Sequence, residues 1–138
     1  MIKLYTGGTF DLFHSGHVNL LKKCKELADV VVVCLNTDDF IERNKGKKPV
    51  ISYEDRKIVL LSCRFVDHVI PNLEGEDSKP CILQIKPNII AIGDDWKKKD
   101  YYKQMNFTQE WLDENKIDLI YLPYTDRISS TIIKGSYG

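Results

Sequence analysis

The chain has 138 residues, which suffices for one domain with a hydrophobic core but not for two domains of ordinary size. Its 20 basic and 20 acidic side chains give a formal net charge of zero, which argues against a broad basic surface for nucleic acid or anionic membranes. No apolar stretch approaches the roughly 20 residues that span a bilayer, and the strand-like N-terminus has no signal-peptide pattern. We therefore expect a single domain over residues 1–138, in a soluble cytoplasmic protein without nucleic-acid or membrane partners.

Short apolar runs alternate with helical patterns along the chain, which favours βαβ units and a mainly parallel sheet. The runs predict strands at residues 2–5, 30–35, 66–70, 89–92 and 119–122, the third ending before Pro71. Helical spacing of apolar residues predicts helices at about 17–27, 52–63, 79–85 and 107–115, and a last helix beginning at Ser129. The predicted fold class is α/β, a Rossmann-like open sheet of about five parallel strands with helices on both faces.

Polar segments follow four of these strands at their carboxyl ends. They comprise residues 7–17, a lysine-rich loop within 36–48, residues 93–96 and residues 124–131. Because the carboxyl ends of parallel strands meet at one edge of a sheet, we expect the four segments to converge on one ligand site.

Four cysteines are scattered along the chain, with no C-x-x-C pair and none beside a histidine. This spacing argues against a zinc site and against a redox dithiol, and we predict buried or half-buried thiols instead. No metal site held by the protein alone is predicted.

The segment after the first strand joins a glycine turn to a helix start and two histidines. A strand that ends in glycines before a helix presents free backbone N–H groups and a positive dipole end, which favour a phosphate. The pattern G-x-F-D-x-x-H-x-G-H is matched at every specified position by Gly8-Thr9-Phe10-Asp11-Leu12-Phe13-His14-Ser15-Gly16-His17. It resembles the signature of the nucleotidyltransferase superfamily that includes cytidylyltransferases.

The resemblance implies transfer of a nucleotidyl group from a nucleoside triphosphate to a phosphate monoester. A phosphate oxygen is largely anionic at neutral pH, so the reaction needs positioning and charge stabilisation more than a general base. His14 and His17 are the implied catalytic donors to the α-phosphate. The implied nucleotide-binding residues of the same segment are Gly8, Thr9, Phe10 and Gly16. A zinc site at the two histidines would lack a recognisable third ligand.

Residues 125–131 resemble a second motif of the superfamily, R-T-x-G-I-S-T-T, in which hydroxyls and N–H groups hold the β- and γ-phosphates. The implied nucleotide-binding residues here are Thr125, Ser129, Ser130 and Thr131. The motif's arginine is replaced by Tyr124 and its glycine by Arg127. We predict that Arg127 supplies the catalytic positive charge from this new position, since a triphosphate without a guanidinium loses a strong partner.

Over nearly its whole length the chain resembles the glycerol-3-phosphate cytidylyltransferase family. That resemblance implies a catalytic role for Lys45 and nucleotide binding by Asp94 and Asp95. It implies acceptor binding by Asp11, Lys47, Arg56 and Arg64. A solvated lysine loop and a surface arginine on a helix remain the alternatives for these basic residues. A tryptophan that the family carries near residue 75 is absent, and residues 97–116 form a longer extension than in the family. Both departures affect the identity of the acceptor substrate more than the type of reaction.

The resulting expectation is a cytidylyltransferase that joins CTP to a small polyol or amino-alcohol phosphate, such as glycerol 3-phosphate, and releases pyrophosphate. Mg²⁺ is expected with the triphosphate, and a homodimer is implied by the resemblance. One alternative is an adenylyltransferase that uses ATP and a sugar or flavin phosphate, since residues 36–38 together with residues 45–50 resemble heptose-phosphate adenylyltransferases. Another is a nucleotide-binding regulatory module without turnover.

Overall fold

The computed structural model describes residues 1–123 and residue 133. Five strands alternate with helices along the described chain. The strands are β1 (Lys3–Gly8), β2 (Val30–Asn36), β3 (His68–Asn72), β4 (Ile89–Gly93) and β5 (Asp118–Leu122). The helices are α1 (Ser15–Leu27), α2 (Asp38–Lys45), α3 (Tyr53–Ser62), α4 (Lys79–Ile85), α5 (Tyr101–Met105) and α6 (Gln109–Glu114), with a 3₁₀ turn at Asp94–Lys98.

The strands form one parallel sheet in the order β3-β2-β1-β4-β5. Strand order reverses between β1 and β4, because β1 leads through β2 to β3 on one side and the chain returns to β4 on the other. In such sheets the crevice at the carboxyl ends beside this reversal is the ordinary ligand site. The predicted α/β fold is confirmed.

Each face of the sheet buries its own apolar side chains, as alternation along a strand requires. One core joins Tyr5, Val32 and Ile90 to buried residues of α4, α5 and α6. On the opposite face, buried strand residues pack with α1 and α3. Helices therefore cover both faces, and the polar rim remains accessible at the carboxyl ends.

Pro71 was predicted to end the third strand, and this prediction is wrong. Pro71 lies inside β3, where it pairs with Leu35 of β2. Because β3 is an edge strand, only one of its two sides carries ladder hydrogen bonds, and proline is tolerated in such strands.

The polar segment after β2 was predicted to be a loop, but it contains the helix α2. Thr37 caps its N-terminus by accepting a hydrogen bond from the Phe40 backbone N–H at 3.2 Å. Gly46 ends it in the left-handed region at φ 78°. A turn was predicted after β4, but its 3₁₀ helical form at Asp94–Lys98 and the helix α5 were not predicted. The predicted last helix at Ser129 lies outside the described residues.

The four cysteines are free, and three of them are buried, as predicted. Cys34 of β2 and Cys81 of α4 lie together with their Sγ atoms 2.6 Å apart. Spacing along the chain argued against a redox dithiol, but the fold brings together two thiols that are 47 positions apart in the sequence. In the described part of the chain, each helix is too short or too polar to cross a membrane.

Candidate active site

A cavity of about 620 Å³ opens at the carboxyl edge of the sheet. Its described wall is built by the ends of β1, β2, β3 and β4 together with α1, α2, the 3₁₀ turn and α5. The convergence of the segments after β1, β2 and β4 was predicted from the sequence, whereas the contributions of β3 and α5 were not. The fourth predicted segment, 124–131, lies outside the described residues.

The wall brings together six of the predicted site residues. They are Gly8, Thr9, Phe10, His17, Lys45 and Asp95. Other predicted residues are not part of this wall: His14, Gly16, Asp94, Asp11, Lys47, Arg56 and Arg64. Five more lie outside the described residues, namely Thr125, Arg127, Ser129, Ser130 and Thr131.

The two histidines close the first turn of α1 as a reciprocal cap. His14 is the N-cap residue, and its Nδ1 accepts the Gly16 backbone N–H at 3.0 Å. His17 lies three residues later, and its Nδ1 accepts the His14 backbone N–H at 3.1 Å. This is the geometry of a capping box with imidazoles in place of the usual hydroxyl and carboxylate. The spacing of the motif thus has a structural cause, and both Nε2 atoms are left for other partners.

Aromatic contacts shield the His17 ring. Phe10 and Phe13 lie with their ring centroids 5.2 Å and 5.3 Å from it, and the His14 ring stacks on it at 3.9 Å. Burial and, to a lesser degree, the neighbouring His14 together lower the pKa of His17 to about 4, while Asp11 opposes this shift. Burial also lowers the pKa of His14. Because Nδ1 of each ring accepts a hydrogen bond, the neutral ring carries its proton on Nε2.

The turn between β1 and α1 holds Phe10 and Leu12 at positive φ, 50° and 52°. A non-glycine residue in this region is strained, and such strain clusters at functional sites. The strain places the Phe10 ring against Gly8, where a Cβ would come within 2.9 Å of a ring carbon. Gly8 is therefore required for this packing, independently of any contact with nucleotide.

Arg56 is a buried strut between the loops of the rim. It is 1% exposed, and four of its five N–H groups are occupied. Its acceptors are the backbone carbonyls of Thr9, Asn36 and Ile51 and, at 2.6 Å, the Asp38 carboxylate. The alternative of a surface arginine is wrong. The contact of Arg56 with the acceptor substrate stays a prediction. One N–H group of its guanidinium has no partner among the described residues and could make that contact.

Asp11 fixes the chain beyond the lysine-rich segment. Its carboxylate accepts the backbone N–H groups of Val50 and Ile51 at 2.8 Å and 2.9 Å, and its side chain is buried. Lys45 is the last residue of α2 and lines the cavity, while Lys47 lies beyond the Gly46 turn and is exposed. The Asp11 anchor therefore limits how far this segment can move from the cavity.

Arg64 lies away from the other predicted residues. It is exposed between α3 and β3, and its guanidinium carbon sits 5.1 Å from the Phe65 ring centroid. The start of β3 is at the amino edge of the sheet, opposite the cavity. The structure does not bring Arg64 to the site within this chain, and its acceptor role stays a prediction.

Sequence reasoning missed an amide chain across the rim. Asn72 Nδ2 donates to Asn36 Oδ1 at 3.1 Å, and Asn36 Nδ2 donates to Thr9 Oγ1 at 3.2 Å. All three residues line the cavity. The link depends on the register that pairs Asn36 with Asn72, which a single sequence does not reveal.

The wall also contains residues of the chain's long extension. Tyr101, Gln104 and Met105 come from α5, and Lys99 precedes it. Met105 is held in place because its carbonyl accepts hydrogen bonds from the backbone N–H and the hydroxyl of Ser78. The unusual length of residues 97–116 was the available signal for this part of the wall.

The described wall carries one carboxylate, Asp95, whose oxygen lies 3.8 Å from Lys99 Nζ. Among the described residues, no three histidine, cysteine or acidic side chains form a group that could hold a metal ion. Asp95 can join phosphate oxygens and water around Mg²⁺, which is how this ion is commonly held beside a nucleotide.

Comparisons with known proteins agree with this geometry. A family model described as cytidylyltransferase-like matches residues 5–136. Glycerol-3-phosphate cytidylyltransferase of Bacillus subtilis is 41% identical over 135 residues, covering 97% of this chain and 95% of that protein. FAD synthase of Pyrococcus horikoshii is 42% identical over 94 residues, covering 68% and 64%.

A solved structure shares the fold. The lipopolysaccharide core biosynthesis protein from Thermoplasma volcanium aligns with a TM-score of 0.64 at 30% identity, covering 87% of this chain and 96% of that one. The histidine motif, the strand order and the near-complete family match lead to one conclusion: this chain belongs to the cytidylyltransferase-like family of nucleotidyltransferases.

Proposed function

We propose that this protein transfers CMP from CTP to a small phosphate monoester, with glycerol 3-phosphate as the first candidate acceptor, and releases pyrophosphate. One observation carries the proposal. The reciprocal cap of His14 and His17 commits both Nδ1 atoms to the backbone beside the cavity, in a chain related over nearly its whole length to a protein named for this reaction.

The reaction forms a bond between an acceptor phosphate oxygen and the α-phosphorus, and breaks the bond from that phosphorus to the departing pyrophosphate. The acceptor oxygen is already anionic, so no side chain needs to remove a proton from it. A base at His17 is also disfavoured, since its Nδ1 is occupied and its pKa is about 4. The rate must then come from alignment and from stabilising charge on the transferring group.

His17 supplies that stabilisation as a neutral donor through Nε2–H. Its ring is fixed by the Nδ1 hydrogen bond and by contacts with Phe10 and Phe13, so little reorganisation is needed during the reaction. His14 has the same tautomer and stacks on His17. Together with the N-terminus of α1, the two Nε2–H groups form a donor set for α-phosphate oxygens.

Positive charge for the phosphates comes from lysines. Lys45 and Lys99 both lie in the described wall. Lys45 is the stronger candidate for binding the phosphates during transfer. The charge of Lys99 is partly neutralised by the Asp95 carboxylate, which lies 3.8 Å from its Nζ. Arg127 and the hydroxyls of Ser129, Ser130 and Thr131 are proposed to hold the β- and γ-phosphates.

Mg²⁺ is proposed to enter with the triphosphate. When bound, it would neutralise charge on the phosphates and assist departure of pyrophosphate. Asp95 is the protein ligand that the described wall can offer. Pyrophosphate release from CTP that stops when a chelator is added and resumes with added Mg²⁺ would support this assignment.

We also propose a cytoplasmic homodimer of one domain per chain. Exposed apolar residues on α3 support an association surface, since Ile58, Val59 and Leu61 are 61%, 39% and 48% exposed. The free cysteines support a reducing compartment. Light scattering coupled to size exclusion would give the mass of the assembly, and a monomeric mass would overturn the dimer.

The experiment that tests the proposed function is pyrophosphate release from CTP and Mg²⁺ across a panel of phosphate monoesters. We expect release with glycerol 3-phosphate or a related polyol or amino-alcohol phosphate, and none with unphosphorylated glycerol. No release with any acceptor, together with measurable CTP binding, would favour the regulatory module instead.

The second candidate is adenylyl transfer. The FAD synthase relative favours it, because that protein matches 68% of this chain at 42% identity. ATP with FMN or with a sugar phosphate therefore belongs in the same panel, and mass analysis of the product distinguishes the two nucleotides.

A further inference from the structure

Among the described residues, Cys34 and Cys81 form a close contact between two thiols that the proposed chemistry does not use. Their Sγ atoms are 2.6 Å apart although the residues are 47 positions apart in the sequence. Both side chains are buried, at 1% and 5% exposure. A disulfide bond is about 2.05 Å long, so the sulfurs need only a small approach to bond.

The two thiols are chemically unequal. The Cys34 thiol lies against Cys81 and the Tyr5 hydroxyl, and its pKa is raised by the hydrogen bond to Cys81 and by burial. The same hydrogen bond lowers the pKa of Cys81, which is also the more exposed of the two. Cys81 is therefore the better nucleophile, and Cys34 is poised beside it as the partner thiol.

The other two cysteines provide an internal comparison. Cys24 is buried on the opposite face of the sheet, and burial raises its pKa to about 12. Cys63 ends α3 and is half-buried. Cys34 and Cys81 alone among the four share a sulfur–sulfur contact in the described residues.

We propose that Cys34 and Cys81 form a reversible disulfide, which peroxide generates and a thiol reductant removes. The Cys81 sulfur attacks one peroxide oxygen to give a sulfenic acid and one water. The Cys34 sulfur then attacks the Cys81 sulfur, and the hydroxyl leaves as a second water with the Cys34 proton. Two thiols are oxidised by two electrons, and one peroxide is reduced to two waters.

The bond would join β2 to α4 directly beneath the cavity. Tyr5, in contact with Cys34, lines the cavity, and Ser78, the residue before α4, lines it as well. Ser78 in turn holds the carbonyl of Met105 on α5 at 2.5 Å. The disulfide would therefore fix the anchor of the α5 wall and close a long chain loop, which stabilises the fold against unfolding.

The test compares native protein before and after brief exposure to hydrogen peroxide, followed by denaturation, alkylation and mass measurement. We expect four alkylated thiols before exposure and two after it, with four restored by dithiothreitol. A peptide map should show residues 34 and 81 in one linked pair. The linked protein should also unfold at a higher temperature than the reduced protein.

The C24S/C63S double variant should still lose both remaining thiols, while C81S should give no internal link. Retention of four thiols in the native wild type, or a link that involves Cys24 or Cys63, would overturn the proposal. An unchanged or lowered unfolding temperature of the linked protein would contradict the claim that the disulfide forms without distorting the native positions of Cys34 and Cys81. The wild-type peptide map decides the question even if C81S does not fold.

Discussion

The Nδ1 atom of His17 accepts the backbone N–H of His14 at 3.1 Å, while Nδ1 of His14 accepts the N–H of Gly16. The two motif histidines therefore have a structural role that is separable from their chemistry. Capping uses Nδ1, and the proposed donation to phosphate uses Nε2.

This separation predicts the behaviour of the H17Q and H14N variants. Glutamine and asparagine are ordinary residues at these capping positions, so the free energy of unfolding should stay within about 1 kcal/mol of wild type. Each variant should lose about 10²- to 10³-fold in kcat, because the replacing amide uses its oxygen for the cap and its N–H groups are not held where the imidazole Nε2–H lies. Urea unfolding and steady-state kinetics measure the two effects. A kcat of H17Q equal to that of wild type would show that His17 does not take part in the chemical step.

Stability should depend on pH through His17. The pKa is about 4 in the folded chain against 6.5 as its ordinary value, so the unfolded chain binds an extra proton between these pH values. The free energy of unfolding should therefore fall by up to about 3 kcal/mol as pH decreases from about 6.5 to about 4. H17Q should reduce this dependence, while H68Q, at an exposed site outside the cavity, should keep it. Equal pH profiles for wild type and H17Q would refute the assignment.

The R56K variant should be strongly destabilised. A lysine cannot serve the three carbonyls and the Asp38 carboxylate that the buried guanidinium holds. We expect a loss of about 3 kcal/mol in the free energy of unfolding. R43K is the matched control, since Arg43 pairs with Glu76 at an exposed site and should change stability by less than about 0.5 kcal/mol. Similar losses of stability in R56K and R43K would contradict the claim that the buried Arg56 links the loops of the rim.

The K45A variant tests the positive charge in the cavity wall. Loss of one charge-assisted contact to phosphate should lower kcat/KM for CTP by about 10- to 100-fold. K48A removes a lysine of the same segment that is exposed and lies 3.9 Å from Glu42, and it should change kcat/KM by less than about twofold. An equal effect of the two substitutions would indicate a general charge effect rather than a contact.

The parallel sheet and its polar edge could be predicted because β-branched runs, helical spacing and the histidine motif are local patterns. The helix α2 was missed, because its residues are mostly polar and its signals are only Thr37 at the start and Gly46 at the end. Pro71 was misread, because its tolerance depends on β3 being an edge strand.

The parts of the site that could not be predicted depend on contacts between distant segments. The Asn36–Asn72 link requires the β2–β3 register, and the burial of Arg56 requires three loops to meet around it. The Cys34–Cys81 contact requires α4 to pack on β2. The predicted phosphate-binding residues of 125–131 lie outside the described residues and stay predictions.

The most direct test of cytidylyl transfer is a competition in one reaction that contains equal CTP and ATP, Mg²⁺ and glycerol 3-phosphate, with products identified by mass. We predict CDP-glycerol with pyrophosphate in equal amount, and its loss in H17Q. Products that carry only AMP, or no nucleotide product with any phosphate acceptor, would contradict the account.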